Sequence, residues 1–412
     1  MAGRVGIRAV PDHCEECGES LRSLSSGTLV YLAPIPWGYL WQRSQQLMSR
    51  LAGILRVLYV QPEPLKNFSV LELSRAWRRA MLHFGRGSDQ PPPPGLKVIA
   101  PPLVPLAGSP LIDRLNSALM ARTITRCLQG RKAPFSSLIL WCTRPTPVAQ
   151  RLAQAGHHAR LIYEMLDAIP ATHPMASRMT EIERALIGQA DFVLCTSEPL
   201  LEHARRLRPD SHLIPNGVDP GHFLDGPPKR GRPPLPLDAV GAPIVGCHGT
   251  IGEWIDLSLV SFLADRFPEV QFVMVGPVEV PRSILPRRRN LHWMGPRPYQ
   301  ELPAYVSSFA VGLLPLGVDE YTRARNPVKL FEYFATGKPV VSTDLPEVAA
   351  FGGLVYVGRD PEGVASALQA ALAERDGSDL SAQRRAIAEA NTWDHRVRLI
   401  LHLLHSYASE VP

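Results

Sequence analysis

A lysine and a glutamate three positions apart, Lys329 and Glu332, stand in the stretch "NPVKLFEYFATGKPVV" at 326–341. On a helix, residues at that spacing lie on neighbouring faces. A lysine in the first turn puts a full positive charge beside unpaired N–H groups, which suits a phosphate. A carboxylate one turn further on can accept two hydrogen bonds from a vicinal diol. Phosphate and ribose are the two halves of a nucleotide. On a solvated surface the same pair would serve only solubility, so this stretch alone leaves both readings open.

The flanking residues say how such a pair is positioned. Asn326 is a favoured N-cap, Pro327 suits the first helical position, Gly337 a left-handed end, and Pro339 prevents continuation. The spacing predicts a helix from Pro327 to about Thr336. It follows a strand, "VGLLPL", and a loop, "DEYTRAR", so its amino end should face a cleft with Arg323 and Arg325 adding charge beside Asn326 and Lys329. A second phosphate signal is "GCHGTIGEWID", where glycines 246, 249 and 252 close a strand and let backbone approach a pyrophosphate. The spacing differs from the G-x-G-x-x-G of nicotinamide binding, which disfavours a dehydrogenase.

The chain's 412 residues exceed one ordinary core and predict two domains. Apolar and charged fractions of 45% and 20% are those of a globular protein, and no apolar run is long enough to span a bilayer. The first residues lack the apolar stretch of a secretion signal, and six scattered cysteines fit reduced thiols, so a cytoplasmic location is expected. His13, Cys14 and Cys17 have partial zinc spacing without a second cysteine pair, and residues 1–25 read as a tail. The net charge of +6 favours an anionic partner, but basic residues are dispersed without interleaved aromatics, which argues against nucleic acid.

Apolar, β-rich runs alternate with amphipathic segments twice over. "GTLVYLAP", "RVLYVQP", "LKVIAPP", "SSLILWCT", "RLIYEML", "DFVLCTS" and "HLIPNG" predict a parallel sheet with helices on both faces across residues 26–215. After a Pro-rich stretch, 225–243, the pattern restarts for a second such domain, 216–390, and residues 391–412 read as a helix packing back on the first. The fold class is thus α/β, two doubly wound parallel-sheet, Rossmann-like domains facing across a cleft, where such sheets bind ligands.

"IPNGVD", "VGCHGTIGEWID" and above all "NPVKLFEYFATGKPVVST" with "LPEV" resemble the retaining nucleotide-sugar glycosyltransferases of the GT-B fold. "WGYLWQRSQQLMSRLA" and "NTWDHRV" are similar to a bacterial subgroup of that family, so the resemblance covers nearly the whole chain. It implies that Glu332 holds the donor ribose, that Lys329 neutralises the leaving diphosphate, and that Gly249 and Thr250 lie beside it. It also implies that Trp37 and Arg43 face the acceptor. His248, at a predicted strand end, could touch donor or phosphate, or be a hydrogen-bonded structural histidine. The family's earlier glutamate, eight positions before Glu332, falls here on Ala324, leaving Asp319, Glu320 or backbone amides for the sugar side.

The chemistry expected is cleavage of a sugar–diphosphate bond, with negative charge growing on the leaving group. No two aspartates are separated by one residue, so lysine, arginine and a helix end are expected in place of a metal, and no cofactor. The resemblance implies same-face attack with retention, which needs no strong protein base. Asp167 and Glu164, in "YEMLD" at a predicted strand end, could orient the acceptor or steady the cation. A basic amphipathic stretch, 73–87, with Arg75, Arg78, Arg79 and Trp77, could lie on an anionic membrane, or simply be a solvated helix face. The leading expectation is a glycosyltransferase using a nucleotide-sugar donor and a glycan or lipid-linked acceptor in bacterial surface polysaccharide synthesis. A nucleotide-sugar epimerase and a non-catalytic nucleotide-sugar-binding protein are the alternatives.

Overall fold

Short apolar runs bounded by glycine, proline and polar residues become parallel strands with helices packed on both faces. A computed structural model describes residues 27–63, 90–104, 109–128, 138–224, 241–374 and 377–406. The proposed tail with His13, Cys14 and Cys17, the basic stretch 73–87 and most of the Pro-rich stretch lie outside the described residues.

The first sheet comprises β1 (Thr28–Leu32), β2 (Arg56–Val60), β3 (Leu96–Ile99), β4 (Leu138–Cys142), β5 (Arg160–Met165), β6 (Phe192–Cys195) and β7 (His212–Leu213). Their order is β3-β2-β1-β4-β5-β6-β7. The second comprises β8 (Ile244–His248), β9 (Gln271–Val275), β10 (Leu291–Gly295), β11 (Val311–Leu314), β12 (Val340–Thr343) and β13 (Tyr356–Gly358), in the order β10-β9-β8-β11-β12-β13. All pairings are parallel. Strand order therefore reverses at β1/β4 in one domain and at β8/β11 in the other. Those reversals open crevices at the strand carboxyl ends.

Burial on both sheet faces explains why the strands read as unbroken apolar runs. β4 and β9 are buried along their whole length, and Val30, Leu58 and Leu140 pack on one face of the first sheet while Leu29, Val57 and Ile139 pack on the other.

The carboxyl-terminal helical pattern breaks at Asn391 and Thr392 into two helices, Asp379–Ala390 and Trp393–Ser406. The last one returns to the first domain: Trp393, Val397, Ile400 and Leu404 join the face that holds Leu29 and Tyr31. Each such buried side chain stabilises the docking by about 2 kcal/mol. The chain thus crosses between domains twice, and Val218 bridges Thr392 where the crossings run side by side. Gly217 is needed there, because a Cβ would sit 3.0 Å from the Asn391 carbonyl oxygen. Arg396, fully buried, donates to the Asn216 carbonyl and to Asn391 Oδ1, tying both crossings together.

Candidate functional site

The helix carrying Lys329 and Glu332 runs Val328–Thr336 and ends at Gly337 with φ +73°, the left-handed turn expected of glycine. Its start differs from expectation. Pro327 occupies the N-cap position, and Asn326 does not cap. Instead Asn326 Oδ1 accepts the Asn216 N–H at 3.0 Å, its carbonyl accepts from Asn216 Nδ2 at 2.7 Å, and its Nδ2 donates to Glu347 at 2.7 Å. Asn326 is a buried bolt, its side-chain oxygen and carbonyl taken by Asn216 and its Nδ2 donating to Glu347.

Lys329 and Glu332 meet the second sheet at its switch point. The Lys329 side chain lies over Gly249, just past β8: a Cβ there would come 2.4 Å from Lys329 Cε and 2.9 Å from Nζ. Gly249, at φ +100°, makes that space, while its N–H is spent on the Val275 carbonyl at 2.8 Å. The other two glycines of that turn serve packing. A Cβ on Gly246 would strike the Phe309 ring at 2.2 Å, and one on Gly252 the Trp254 ring at 2.5 Å. Of the three, only Gly249 faces the lysine.

Lys329 remains partly open to solvent and forms no ion pair or side-chain hydrogen bond among the described residues. Burial lowers its pKa. Glu332 is 7% exposed and its carboxyl is pushed up to about 7 by burial, with Lys329 pulling the other way. His248 sits with Nε2 3.3 Å from Glu332 Oε2 but without hydrogen-bonding geometry. Burial, then the Lys329 charge, holds its imidazole down at about 3, so it is neutral. The Tyr333 hydroxyl accepts the His248 N–H and donates to the Gly246 carbonyl, each at 3.3 Å, fixing the strand end. The result is a cation, a high-pKa carboxyl and a neutral imidazole gathered with spare hydrogen-bonding capacity, the chemistry of a ligand site.

The arginines divide. Arg323 is exposed and without an ion pair among the described residues. Arg325 is engaged: its Nε donates to Asp167 Oδ1 at 3.0 Å across the domain boundary, and its guanidinium lies over the rings of Trp254 at 4.8 Å and Tyr321 at 5.1 Å. Asp167, just past β5, keeps 40% of its side chain exposed and faces the cleft.

Glu164 does not reach the cleft, contrary to expectation. It is completely buried on β5, where Arg43 holds it at 2.7 and 2.8 Å and Trp141 Nε1 donates at 3.0 Å. Arg43 also donates to the Pro215 carbonyl at 2.9 Å, so it is a buried strut under the first crossing and not an acceptor-facing residue. Trp37 is likewise a core anchor, 4% exposed, edge-on to Tyr59 and donating to the Gln90 carbonyl. Glu164 reads as a cleft residue from its place at a strand end, and Arg43 and Trp37 from the family resemblance. Their partners, far along the chain, turn them inward.

Ala324 explains the missing family glutamate. It is 7% exposed, packs with the first domain's core, and its carbonyl accepts the Ser197 hydroxyl at 2.7 Å. A longer acidic side chain there would have to be buried. Asp319 is committed to capping the short helix Glu320–Arg323, while Glu320 is exposed.

Sequence reasoning missed Tyr39. Its hydroxyl reaches across the cleft to Thr250 Oγ1 at 3.3 Å and donates to Glu279. It is joined on the same side by Gln46, which donates to the Tyr299 hydroxyl at 3.0 Å. No spacing signal could pair residues more than two hundred positions apart. Among the described residues, no three His, Cys, Asp or Glu side chains gather to hold a metal ion, and no helix is long and apolar enough to cross a membrane.

Comparison with known proteins agrees with the fold. Residues 242–374 match the family model described as glycosyl transferases group 1. A Bacillus subtilis protein named as teichuronic acid biosynthesis glycosyltransferase TuaH is 29% identical over 231 residues, 53% of this chain and 58% of that protein. The chain thus matches a little over half the length of that relative. The fold is that of HepE from Anabaena, solved with UDP and glucose, at TM-score 0.62 and 15% identity over 92% of this chain and 99% of that one. It is also that of sucrose-phosphate synthase from Thermosynechococcus elongatus, at TM-score 0.66 and 15% identity over 93% and 98%.

Proposed function

We propose that this chain, a GT-B protein whose second domain is of the group 1 glycosyl transferase kind, moves a sugar from a nucleoside diphosphate sugar to a glycan or lipid-linked acceptor in polysaccharide synthesis. The observation that carries the reading is Lys329, uncommitted, lying over Gly249 with the high-pKa Glu332 one helical turn away at the switch point of the second sheet. Lys329 and the first N–H groups of its helix take up the charge that grows on the leaving diphosphate. Glu332, once ionised, accepts both hydroxyls of the ribose. Thr250 and exposed Arg323 flank the diphosphate, and neutral His248 offers a hydrogen bond without adding charge.

The acceptor enters from the first domain, with Asp167 at the cleft edge as the carboxylate that meets the reacting sugar. Attack from the face the diphosphate leaves gives retention and lets the leaving phosphate take the acceptor's proton, so no protein base is assigned. The absence of an Asp-x-Asp pair supports turnover without a divalent metal. Binding of UDP or UDP-glucose by structural neighbours supports a uridine donor. The reading places the reaction in the cytoplasm, at the membrane's inner face for a lipid-linked acceptor, with the 73–87 stretch as the basic contact.

The test is a thermal-shift panel of UDP, GDP, ADP and their sugars, with magnesium or with EDTA, on wild type, Lys329→Met and Glu332→Gln. One nucleotide family should raise the midpoint by mass action irrespective of metal. Each variant should weaken that nucleotide by about ten- to a hundredfold, the loss of a hydrogen bond to a charged group. A flat panel, or a response that both variants keep, would sink the reading.

A further inference from the structure

The first sheet has a switch point of its own, between β1 and β4. A hollow with about 300 Å³ of empty space lies there, lined by residues that follow β1, β2 and β4. Much of that space is open mouth, so the enclosed part suits a small group and not a whole sugar ring. Leu32, Val60 and Met120 form its apolar wall, while Glu63, Arg144 and Thr146 bring polar groups to it.

Arg144 is partly buried yet forms no ion pair or side-chain hydrogen bond among the described residues. Asp113 is held by Arg178 at 2.6 Å, and Glu63 shares a hydrogen bond with Thr146, whose hydroxyl also caps the helix Pro147–Gln154. Burial lowers the Arg144 pKa, with the Glu63 charge pulling it back, and pushes Glu63 up to about 7 against the Thr146 hydrogen bond and the Arg144 charge. The lining residues follow β1, β2 and β4 at the carboxyl ends of the first sheet, the end at which such sheets bind ligands.

A guanidinium whose fork makes no hydrogen bond among the described residues, set in a narrow recess, selects a planar anion, because it donates two parallel hydrogen bonds to a carboxylate. Glu63 beside it disfavours a second negative charge, so a carboxylate suits the recess better than a phosphate monoester. We infer that this hollow is a subsite for the carboxylate of an acidic sugar in the acceptor, with Arg144 as its fork and Glu63 accepting a neighbouring hydroxyl. Only the word acceptor rests on the transferase reading; the carboxylate subsite is testable without it.

Saturation-transfer NMR on the full chain with methyl glucuronide, methyl glucoside and inorganic phosphate tests the inference. The glucuronide should bind about tenfold tighter than the glucoside, the value of one charge-assisted contact, and keep its signal under saturating UDP and in Glu332→Gln. Arg144→Gln should lower it to the glucoside level, and Arg144→Lys, which keeps the charge without the fork, should fall between. Equal binding of the two sugars, a signal unchanged in Arg144→Gln, or displacement by UDP would overturn the subsite. Phosphate displacing the glucuronide at equal concentration would overturn the choice of carboxylate. The UDP thermal shift on the same sample reports the donor reading separately. If Arg144→Gln does not fold, the sugar comparison on wild type and Arg144→Lys still decides.

Discussion

Glu164 in the first domain and Glu332 in the second are almost equally hidden, at 0% and 7% exposed, and they stand in opposite circumstances. Glu164 accepts hydrogen bonds on both oxygens, from Arg43 Nε at 2.8 Å and from the Trp141 indole N–H at 3.0 Å, with the guanidinium in ion-pair contact. Glu332 has a histidine nitrogen at 3.3 Å without hydrogen-bonding geometry, and a lysine that influences it without reaching ion-pair distance. A buried charge whose partners are complete is part of the scaffold. One left incomplete holds its capacity for something that arrives later.

The sharpest break of that contrast is Glu164→Gln. Removing one member of a buried pair leaves Arg43 uncompensated, which costs about 3–5 kcal/mol. Urea unfolding at neutral pH should show that loss, while the protein that remains folded keeps its nucleotide response. A loss below about 1 kcal/mol, the size of an exposed pair, would remove Glu164 from the scaffold.

Glu332→Gln should act in the opposite sense on the empty protein. The folded carboxyl sits near 7 against 4.5 for an ordinary one, so the folded state holds the proton more tightly than the unfolded chain. The stability from this group is therefore full below the unfolded value and is lost as pH rises through about 7. At about 1.4 kcal/mol per pKa unit, the wild type forfeits about 3 kcal/mol between acid and mildly alkaline pH, and glutamine does not titrate. The variant's stability relative to wild type should thus improve by that amount from about pH 4 to about pH 8, measured by urea unfolding. Nucleotide affinity of the wild type should rise over the same interval, since only the ionised carboxyl accepts both hydroxyls. A pH-independent difference would mean that Glu332 is ionised throughout and is as well partnered as Glu164.

The same contrast marks what was legible in the sequence. Strands β1 to β13 and the Val328–Thr336 helix were readable because their signals are local: apolar runs, a proline at the start and Gly337 at the end. Lys329 and Glu332 were readable as a pair because helical spacing brings them together. The fates of Glu164, Arg43 and Trp37 were not, since their partners lie 121, 172 and 53 positions away. Asn326 misled for the same reason: its type fits a helix cap, but Asn216, 110 positions earlier, claims it first. Gly246 and Gly249 look alike in the sequence and differ only in what faces them, an aromatic ring for one and the lysine side chain for the other.

Asp167 lies between the two extremes and should show the smallest stability effect. Its bond to Arg325 spans the domain boundary at 3.0 Å, with the two side chains 40% and 25% exposed. Water and salt reach such a pair, so Asp167→Asn should change stability by no more than about 1 kcal/mol, and less at high ionic strength. Arg325→Gln removes the same bond and also the guanidinium's contacts with Trp254 and Tyr321, so it should cost more in unfolding than Asp167→Asn. The two variants should also part in turnover: a carboxylate that meets the reacting sugar is missing only from Asp167→Asn, which should then lose kcat at unchanged nucleotide affinity. Equal turnover in both would make the pair a clasp and nothing more. A stability loss as large as that of Glu164→Gln would mean that the pair is desolvated in the closed protein, and would assign this cleft edge to the first domain's scaffold.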